Sequence, residues 1–465
     1  MNYADAARIS TILKNIWWKQ TTLEDANIVI FNTCSVRQKS EDKITWKLKE
    51  ISSDKKIWIT GCMVQHNLKQ NRIIENKKLI KSWKTKFKSG NFIWDLKQVS
   101  NSDIPFLINE VYQPLWTILK KKFQNLELMF RIDDTHLLPK FLKYLWYEVN
   151  ESESKKLSTY MDLIPEVANQ TENPLIRTAY VPISTGCNQF CSYCIVPFAR
   201  GLERYRSIDD ILKEIKYWLE KWKEEIVLLW QIVNKHPEFT KILKETLKLQ
   251  KLKWLRYTSP YPTFYNDEIF SLHENEEKLC PHIHIPVQSG SNKILKLMNR
   301  GYTVEQFKEF IEKIRNLKRD ISITSDIIVG FSNETEKDFQ QTIDLVKYAK
   351  FDMIYTWIYS PRPNTLAYKT LKDNVDKKTK QERWQKINNL LYKISEENNK
   401  KEIWKVRQAM IVDSKKNKNW KKIFYWYTDN FKNVEIENFP IKKIGKIINI
   451  KITDGISLKL FWQYI

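Results

Sequence analysis

Glycine is scarce in this sequence. Only 9 of its 465 residues are Gly, and Trp, at 18, is twice as common, although Gly usually makes up about 7% of a protein. Some Trp residues stand where glycine is favoured. Trp17 follows the helical pattern Arg8–Ile16, and Trp222 lies between a predicted helix, Ile208–Lys221, and a predicted strand, Glu225–Leu229. The end of a helix favours a left-handed residue without a β-carbon, so a bulky indole suits neither position.

Long apolar runs are also absent. None reaches the roughly 18 residues that a membrane span needs, and the N-terminus lacks the basic-then-apolar order of a signal peptide. The six cysteines are too few and too clustered for a disulfide framework in a chain of this length. We therefore expect a cytoplasmic protein without a membrane segment. Clustered cysteines in a reducing compartment point to a metal.

Acidic residues are fewer than basic ones: the sequence has 55 Asp and Glu and 78 Lys and Arg, which gives a net charge of +23. An excess of this size favours a polyanionic partner, most simply nucleic acid. The alternative is a Lys-rich proteome in which every protein is basic. The length predicts two to four domains, and the hydrophobic fraction of 42% is enough to bury their cores.

The pattern along the chain predicts an α/β protein with four segments. Residues 1–145 contain two β-rich runs, Asn27–Asn32 and Lys56–Thr60, beside cysteine motifs, and the polar residues 146–176 are typical of a linker. In residues 177–402 strands alternate with helices, as in a parallel sheet or barrel. The predicted strands there are 178–184, 225–230, 253–258, 281–285, 321–329 and 353–359. Residues 403–465 change to short β runs and predict a small β-barrel.

The strongest motif is the run GCNQFCSYC at residues 186–194. It spaces Cys187, Cys191 and Cys194 as Cys-x3-Cys-x2-Cys, directly after the first predicted strand of the central segment. Three thiolates can hold three irons of a [4Fe–4S] cluster, whereas electron-transfer clusters ordinarily use four. The fourth iron would then be open to a substrate. A zinc site is the alternative, but it usually combines paired Cys-x2-Cys elements with His, and no His is near.

This spacing, with Tyr193 before the last cysteine, resembles the radical S-adenosylmethionine (SAM) superfamily. Further motifs resemble one branch of it, the methylthiotransferases, in the family's order. They are NTCSVR (32–37), GCMVQ (61–65), CIVPFARG (194–201), HIPVQSG (284–290), MNRGYT (298–303), SDIIVGF (325–331) and YSPRP (359–363). The run WQIVN at 230–234 takes the place of a GQNVN motif in the subgroup that modifies prenylated adenosine in tRNA, and Ile232 departs from it.

The resemblance implies a fold of three domains: an N-terminal methylthiotransferase domain, a partial (β/α)6 radical SAM barrel, and a C-terminal TRAM-like RNA-binding barrel. It implies transfer of a methylthio group to carbon 2 of N6-dimethylallyladenosine beside the anticodon. The implied cofactors are SAM and two [4Fe–4S] clusters. The implied partners are the anticodon stem-loop of tRNA and an electron donor such as flavodoxin or ferredoxin, and we expect a monomer.

Site residues follow from the same resemblance. Cys187, Cys191 and Cys194 would hold the SAM cluster, and Cys34 and Cys62 would contribute to the auxiliary cluster. The candidates for SAM contact lie at predicted strand ends, where ligand-binding groups gather: they are Gln288, Ser289, Asp326 and Gly330. Asp326 and Gly330 have an equally good alternative role in shaping a turn. We expect Cys280 to be a core thiol.

Two departures from the family pattern lead to hypotheses. The family's auxiliary cluster uses three cysteines, and the missing one would precede Met1, so we expect that the start was misplaced. The second departure is a set of Trp residues at family glycine positions: Trp17, Trp58, Trp222, Trp230, Trp404, Trp426 and Trp462. We hypothesise that the gene reads UGA as glycine and that UGA was translated as Trp in this sequence.

Two alternative functions stay open at this point. One is a sibling methylthiotransferase that acts on threonylcarbamoyl-adenosine in tRNA or on a ribosomal-protein aspartate. The other is a non-catalytic iron–sulfur RNA-binding protein, against which the open iron of a three-cysteine cluster argues.

Overall fold

A computed structural model of the chain describes residues 2–16, 18–34, 38–66, 104–105, 107–113, 115–150, 177–416, 422–437 and 445–464. The chain divides into two compact units. The first contains the described residues of 1–169 together with 184–190 and 194–206, and the second contains those of 170–183, 191–193 and 207–465. Trp17 and the part of the predicted linker beyond residue 150 lie outside the described residues.

The first unit is built on a parallel three-stranded sheet. Its strands, in the order β1-β2-β3, are β1 (Ile28–Thr33), β2 (Lys56–Gly61) and β3 (Leu126–Met129). Its main helices are α1 (Asn2–Asn15), α2 (Gln38–Lys49), α3 (Cys62–His66), α4 (Leu115–Lys122) and α5 (Leu138–Tyr144). The two predicted strands in this part of the chain are confirmed as β1 and β2.

Strand β2 has apolar layers on both faces. Trp58 belongs to a core cluster with Ile9 and Ile12 of α1, whereas Ile57 and Ile59 belong to a second cluster. Since successive side chains of a strand point to opposite faces, the continuous apolar run of β2 fits a strand that is buried on both sides. This burial fixes the register of the strand that ends just before Cys62.

The second unit contains six parallel strands in two sheets, β4-β7-β8 and β9-β10-β11. They are β4 (Thr178–Pro182), β7 (Glu225–Leu229), β8 (Trp254–Tyr257), β9 (His282–His284), β10 (Ser322–Val329) and β11 (Met353–Ile358). A bridge between Leu255 and Leu279 links the two sheets. All six predicted strands are confirmed to within two residues at each end. The short pair β5 (Ser184–Thr185) and β6 (Arg204–Tyr205) belongs to the first unit.

Helices alternate with these strands. They are α6 (Val196–Arg200), α7 (Ile208–Glu220), α8 (Phe239–Leu247), α9 (Asp267–Asn275), α10 (Asn292–Leu297), α11 (Val304–Arg315), α12 (Glu336–Ala349), α13 (Leu366–Thr370) and α14 (Lys377–Lys400). Side chains cap most of them: Thr303 and Thr335 form capping boxes at α11 and α12, and Ser207 caps α7. Such caps satisfy amide groups that a helix start leaves unpaired, so the sequence sets these boundaries locally. No helix among the described residues is long and apolar enough to cross a bilayer.

The C-terminal residues form a closed barrel in the order β12-β13-β14-β16-β15. Its strands are β12 (Val406–Lys416), β13 (Lys422–Thr428), β14 (Asn433–Glu437), β15 (Ile447–Ile456) and β16 (Lys459–Tyr464). Alternate residues such as Ala409, Ile450 and Leu460 fill its interior and are fully buried. The predicted β runs of this segment are confirmed, since each overlaps one of these strands.

The C-terminal barrel is docked at the N-terminal ends of the parallel strands. Arg256 is buried, its Nε lies 2.7 Å from Glu225 Oε1, and its terminal nitrogens donate to the carbonyls of Thr428 (2.9 Å) and Asp429 (2.8 Å). The guanidinium also faces the ring of Phe431, with 5.4 Å to the centroid. Because a buried charge is costly without such partners, this arrangement holds the barrel and the sheet together within one unit.

Candidate metal centre and cofactor site

The three-cysteine run lies between β5 and α6. In the first unit, Cys187 is buried and its amide donates to the carbonyl of Gly201 at 3.0 Å. Gly186 has a φ of +77°, and a β-carbon there would meet the carbonyl oxygen of Leu202 at 1.9 Å. Glycine is therefore required at position 186, both because the φ angle is positive and because there is no room for a β-carbon.

The middle of the run is held in the second unit. Ser192 donates to the carbonyl of Leu297 at 2.7 Å, and its amide donates to the carbonyl of Met298 at 3.0 Å. One terminal nitrogen of Arg300 lies 3.5 Å from Cys191 Sγ. Arg300 therefore places a positive charge beside the sulfur of one of the three predicted ligands. Arg300 was not predicted from the sequence, because the contact joins residues far apart in the chain.

The chemistry of the donors fits an iron–sulfur cluster. None of the six cysteines forms a disulfide, and three of them fall within the stretch 187–194. Among the residues that the structure describes, no three His, Cys, Asp or Glu side chains lie in an arrangement that could hold a metal ion. The fit thus rests on the thiol donors of one loop and on the cationic Arg300 beside Cys191.

Cys34 and Cys62 follow neighbouring parallel strands of the first unit, β1 and β2. Cys62 is buried, and burial raises the pKa of its thiol, while the adjacent Arg200 guanidinium opposes that rise and the charge of Cys34 adds to it. The carboxyl ends of adjacent parallel strands meet at one edge of a sheet, which explains why Cys34, distant in sequence, affects the pKa of Cys62. Residues 35–37 of the first motif lie outside the described residues.

Of the four candidates for SAM contact, Gln288 and Ser289 follow β9 and Gly330 directly follows β10, whereas Asp326 lies inside β10 and not at its predicted end. Ser289 is fully buried; its hydroxyl accepts from the amide of Ser291 at 3.2 Å. Asp326 accepts from Trp357 Nε1 at 2.8 Å and lies 3.1 Å from His284 Nε2. Both side chains thus have partners within the protein, and neither His284 nor Trp357 was predicted.

Gln288 differs from the other candidates. It has a φ of +75°, which is strained for a residue with a side chain, and its buried Oε1 has no hydrogen-bond partner among the described residues. Strained backbone and unsatisfied polar atoms concentrate at ligand sites. Gly330 also has a positive φ, +69°, and its Cα faces the side chain of Lys380, so shaping the turn accounts for this glycine.

Comparison with known proteins decides the family. Residues 181–346 match the radical SAM superfamily, and residues 1–83 match the uncharacterized protein family UPF0004. A tRNA-2-methylthio-N(6)-dimethylallyladenosine synthase of Thermoanaerobacter sp. (strain X514) is 32% identical over 98% of this chain and 88% of its own length. The enzyme of that name from Karelsulcia muelleri (strain GWSS) is 34% identical over 99% of this chain and 96% of its own. The chain belongs to the tRNA-2-methylthio-N(6)-dimethylallyladenosine synthase family.

The protein is therefore a radical SAM methylthiotransferase, and its cofactors include SAM and an iron–sulfur cluster. Among solved structures, a radical SAM methyltransferase from Kitasatospora setae matches 74% of this chain and 67% of its own length, with a TM-score of 0.43 and 13% identity. The enzyme's family membership confirms the resemblance stated above from its sequence motifs.

Proposed function

We propose that the enzyme transfers a methylthio group to carbon 2 of N6-dimethylallyladenosine, beside the anticodon of tRNA. The observation that carries the proposal is similarity along nearly the whole chain to relatives named for this product. The net charge of +23 supports an RNA substrate. The closed C-terminal barrel supports a TRAM-like RNA-binding module at residues 403–465, after a methylthiotransferase domain at 1–145, a linker at 146–176 and a radical SAM domain at 177–402.

Cys187, Cys191 and Cys194 would hold the SAM-binding [4Fe–4S] cluster. Such a cluster would bind SAM and would supply the electron for its reductive cleavage. Arg300 would place a positive charge beside the sulfur of Cys191, where it would offset the negative charge of the bound cluster. The unpartnered Oε1 of Gln288 is suited to accept a hydrogen bond from SAM, and Ser289, Asp326 and Gly330 would shape the same wall.

A second [4Fe–4S] cluster would draw Cys34 and Cys62 as ligands in the first unit. The electron donor would be a flavodoxin or ferredoxin, and the RNA partner would be the anticodon stem-loop of tRNA. The enzyme would act as a monomer. Buried apolar residues of β2 keep the Cys62 end of this site dry, since Ile57, Trp58 and Ile59 are all fully buried. A dry site protects reactive intermediates from side reactions with water.

The test is direct analysis of product nucleosides. The full chain, reconstituted anaerobically with iron and sulfide, is incubated with SAM, a reductant and prenylated tRNA, and the digested tRNA is analysed by mass spectrometry. We expect a methylthio-prenyladenosine peak with prenylated tRNA and none with unprenylated tRNA. SAM cleavage without that peak would reject the proposed substrate and favour a sibling methylthiotransferase.

Two cysteine variants separate the two clusters in this assay. Cys191→Ala should abolish SAM cleavage, because the SAM-binding cluster loses a ligand. Cys62→Ala should leave cleavage of SAM intact and abolish only methylthio transfer. Full methylthio transfer by Cys62→Ala would contradict the role proposed for the second cluster, and Cys280→Ala, which removes a buried core thiol, serves as the matched control.

A further inference from the structure

A buried arginine of the first unit contacts the thiol of Cys62. Arg200 is the last residue of α6, the helix that begins after Cys194. Its Nε donates to Cys62 Sγ at 3.2 Å, and its terminal nitrogens donate to the carboxylate of Asp5 at 3.3 and 2.5 Å. The side chain of Arg200 is 3% exposed and that of Asp5 is not exposed at all. One guanidinium therefore joins α1, the start of α3 and the end of α6.

The shape of the guanidinium explains this arrangement. Two terminal nitrogens form a fork that matches a carboxylate, and Nε lies on another edge of the same plane. Asp5 balances the charge of Arg200 and fixes the plane of the group, which aims Nε at Cys62 Sγ. A lysine at position 200 could offer only a point charge and could not hold both partners in this geometry.

We propose that Arg200 is a positioning residue for the second cluster, fixing the position of the Cys62 side chain and donating a hydrogen bond to its sulfur. This inference rests on the proposed second cluster. Hydrogen bonds and positive charge near cluster sulfurs stabilise the reduced, more negative state and so raise the reduction potential. Arg200 would thus set both the retention and the potential of a cluster bound through Cys62.

A purely structural role makes different predictions. If Arg200 only tied three helices together, its loss would lower stability as any buried ion pair does, without a specific effect on the cluster. Arg256 provides the matched comparison, since its side chain is 5% exposed and that of its partner Glu225 is not exposed. Arg256 and Glu225 belong to the second unit and contact neither Cys34 nor Cys62 in the hydrogen bonds and ion pairs described above.

The experiment uses the full chain with Cys187, Cys191 and Cys194 all changed to Ala, so that only the second cluster can form. Arg200→Gln, Arg200→Lys and the control Arg256→Gln are introduced into this background. After anaerobic reconstitution, iron and sulfide per chain are counted, and the midpoint potential is measured by redox titration followed by electron paramagnetic resonance. Urea unfolding of each variant measures stability separately.

We expect Arg200→Gln to lose iron and to shift the remaining cluster to a more negative potential. Arg200→Lys should keep more iron and show a smaller shift, because it retains the charge without the fork. Arg256→Gln should lose stability and keep the potential of the parent. If Arg200→Gln and Arg200→Lys kept the parent's iron content and potential, the positioning role would be rejected while the second cluster stood. If the parent itself bound no cluster, the second cluster and the role of Arg200 would both fall.

Discussion

Replacing two exposed tryptophans by glycine should stabilise the protein. Trp146 and Trp222 have φ values of +65° and +66° and are 95% and 80% exposed. Each follows a helix, α5 or α7, where the chain turns into the left-handed region. A residue with a β-carbon is disfavoured there by about 1–2 kcal/mol. Glycine removes that strain but loses about 0.5–1 kcal/mol more backbone entropy on folding.

The strain relieved less the added entropy cost gives a net gain of about 0–1.5 kcal/mol for each substitution. Little burial is lost, because both indoles are mostly in solvent. Trp404, with a φ of +71°, is the instructive contrast: Lys451 Nζ lies 5.2 Å from its ring centroid. An exposed cation–π contact contributes about 0.5–1 kcal/mol, so Trp404→Gly should change stability little.

Urea denaturation of Trp146→Gly and Trp222→Gly measures the effect as a higher midpoint at unchanged slope. The alanine variants are the control, because alanine keeps the β-carbon and the strain. A second control is Trp58→Gly, since Trp58 is fully buried beside Trp18 and donates to Glu127 at 3.0 Å; it should lose about 3–5 kcal/mol. Glycine variants at 146 and 222 no more stable than their alanine counterparts would refute the reasoning.

Three further predictions concern other parts of the molecule. Arg256→Met should lower the free energy of unfolding by about 3–5 kcal/mol, because it leaves Glu225 buried without its partner. Limited proteolysis of this variant should then cut near the C-terminal barrel. An unchanged digestion pattern would argue against a fixed attachment of the barrel. Burial lowers the pKa of His273 to about 3, so below pH 6.5 the unfolded chain takes up a proton that the folded chain does not. Stability should fall by about 2 kcal/mol between pH 6.5 and 5, and His273→Gln should lose this dependence in urea titrations at both pH values. Gln288→Ala should raise the KM for SAM in the cleavage assay without a loss of stability, since its Oε1 has no hydrogen-bond partner in the part of the chain that the structure describes. An unchanged KM would remove it from the SAM site.

Local patterns in the sequence predicted most of the strands. The predicted strands 321–329 and 353–359 correspond to β10 and β11. Both are β-rich runs between helical stretches, a pattern typical of a parallel sheet. The prediction that Trp222 occupies a left-handed position is confirmed by its φ, for a reason that is equally local: a helix ends just before it. The left-handed conformation of Trp146 was not predicted, because no predicted strand follows this residue to mark the end of the helix before it.

The contacts around the cysteines could not be predicted in this way. Arg200 and Arg300 act on Cys62 and Cys191 across more than one hundred residues of sequence. Spacing within a motif says which residues share a loop, but not which side chain from another element reaches that loop. The metal-ligand roles of the five cysteines, and the SAM contact of Gln288, Ser289, Asp326 and Gly330, stay predictions.

The docking of the C-terminal barrel has a consequence for how RNA would travel over the enzyme. The barrel is attached where the parallel strands begin, since Tyr427 donates to Glu225 and Trp254 donates to Gln408, whereas Gln288 follows the end of β9. Gln288 bridges to Ile327, five residues along β10 from Ser322, whose hydroxyl donates to the carbonyl of Asn430 in the barrel, so about 17 Å of strand separates the two contacts. If the barrel binds RNA and Gln288 contacts SAM as proposed, the RNA would have to extend from one edge of the sheet to the other to place a base at the active site. The separation of the two edges would then favour a substrate long enough to span it.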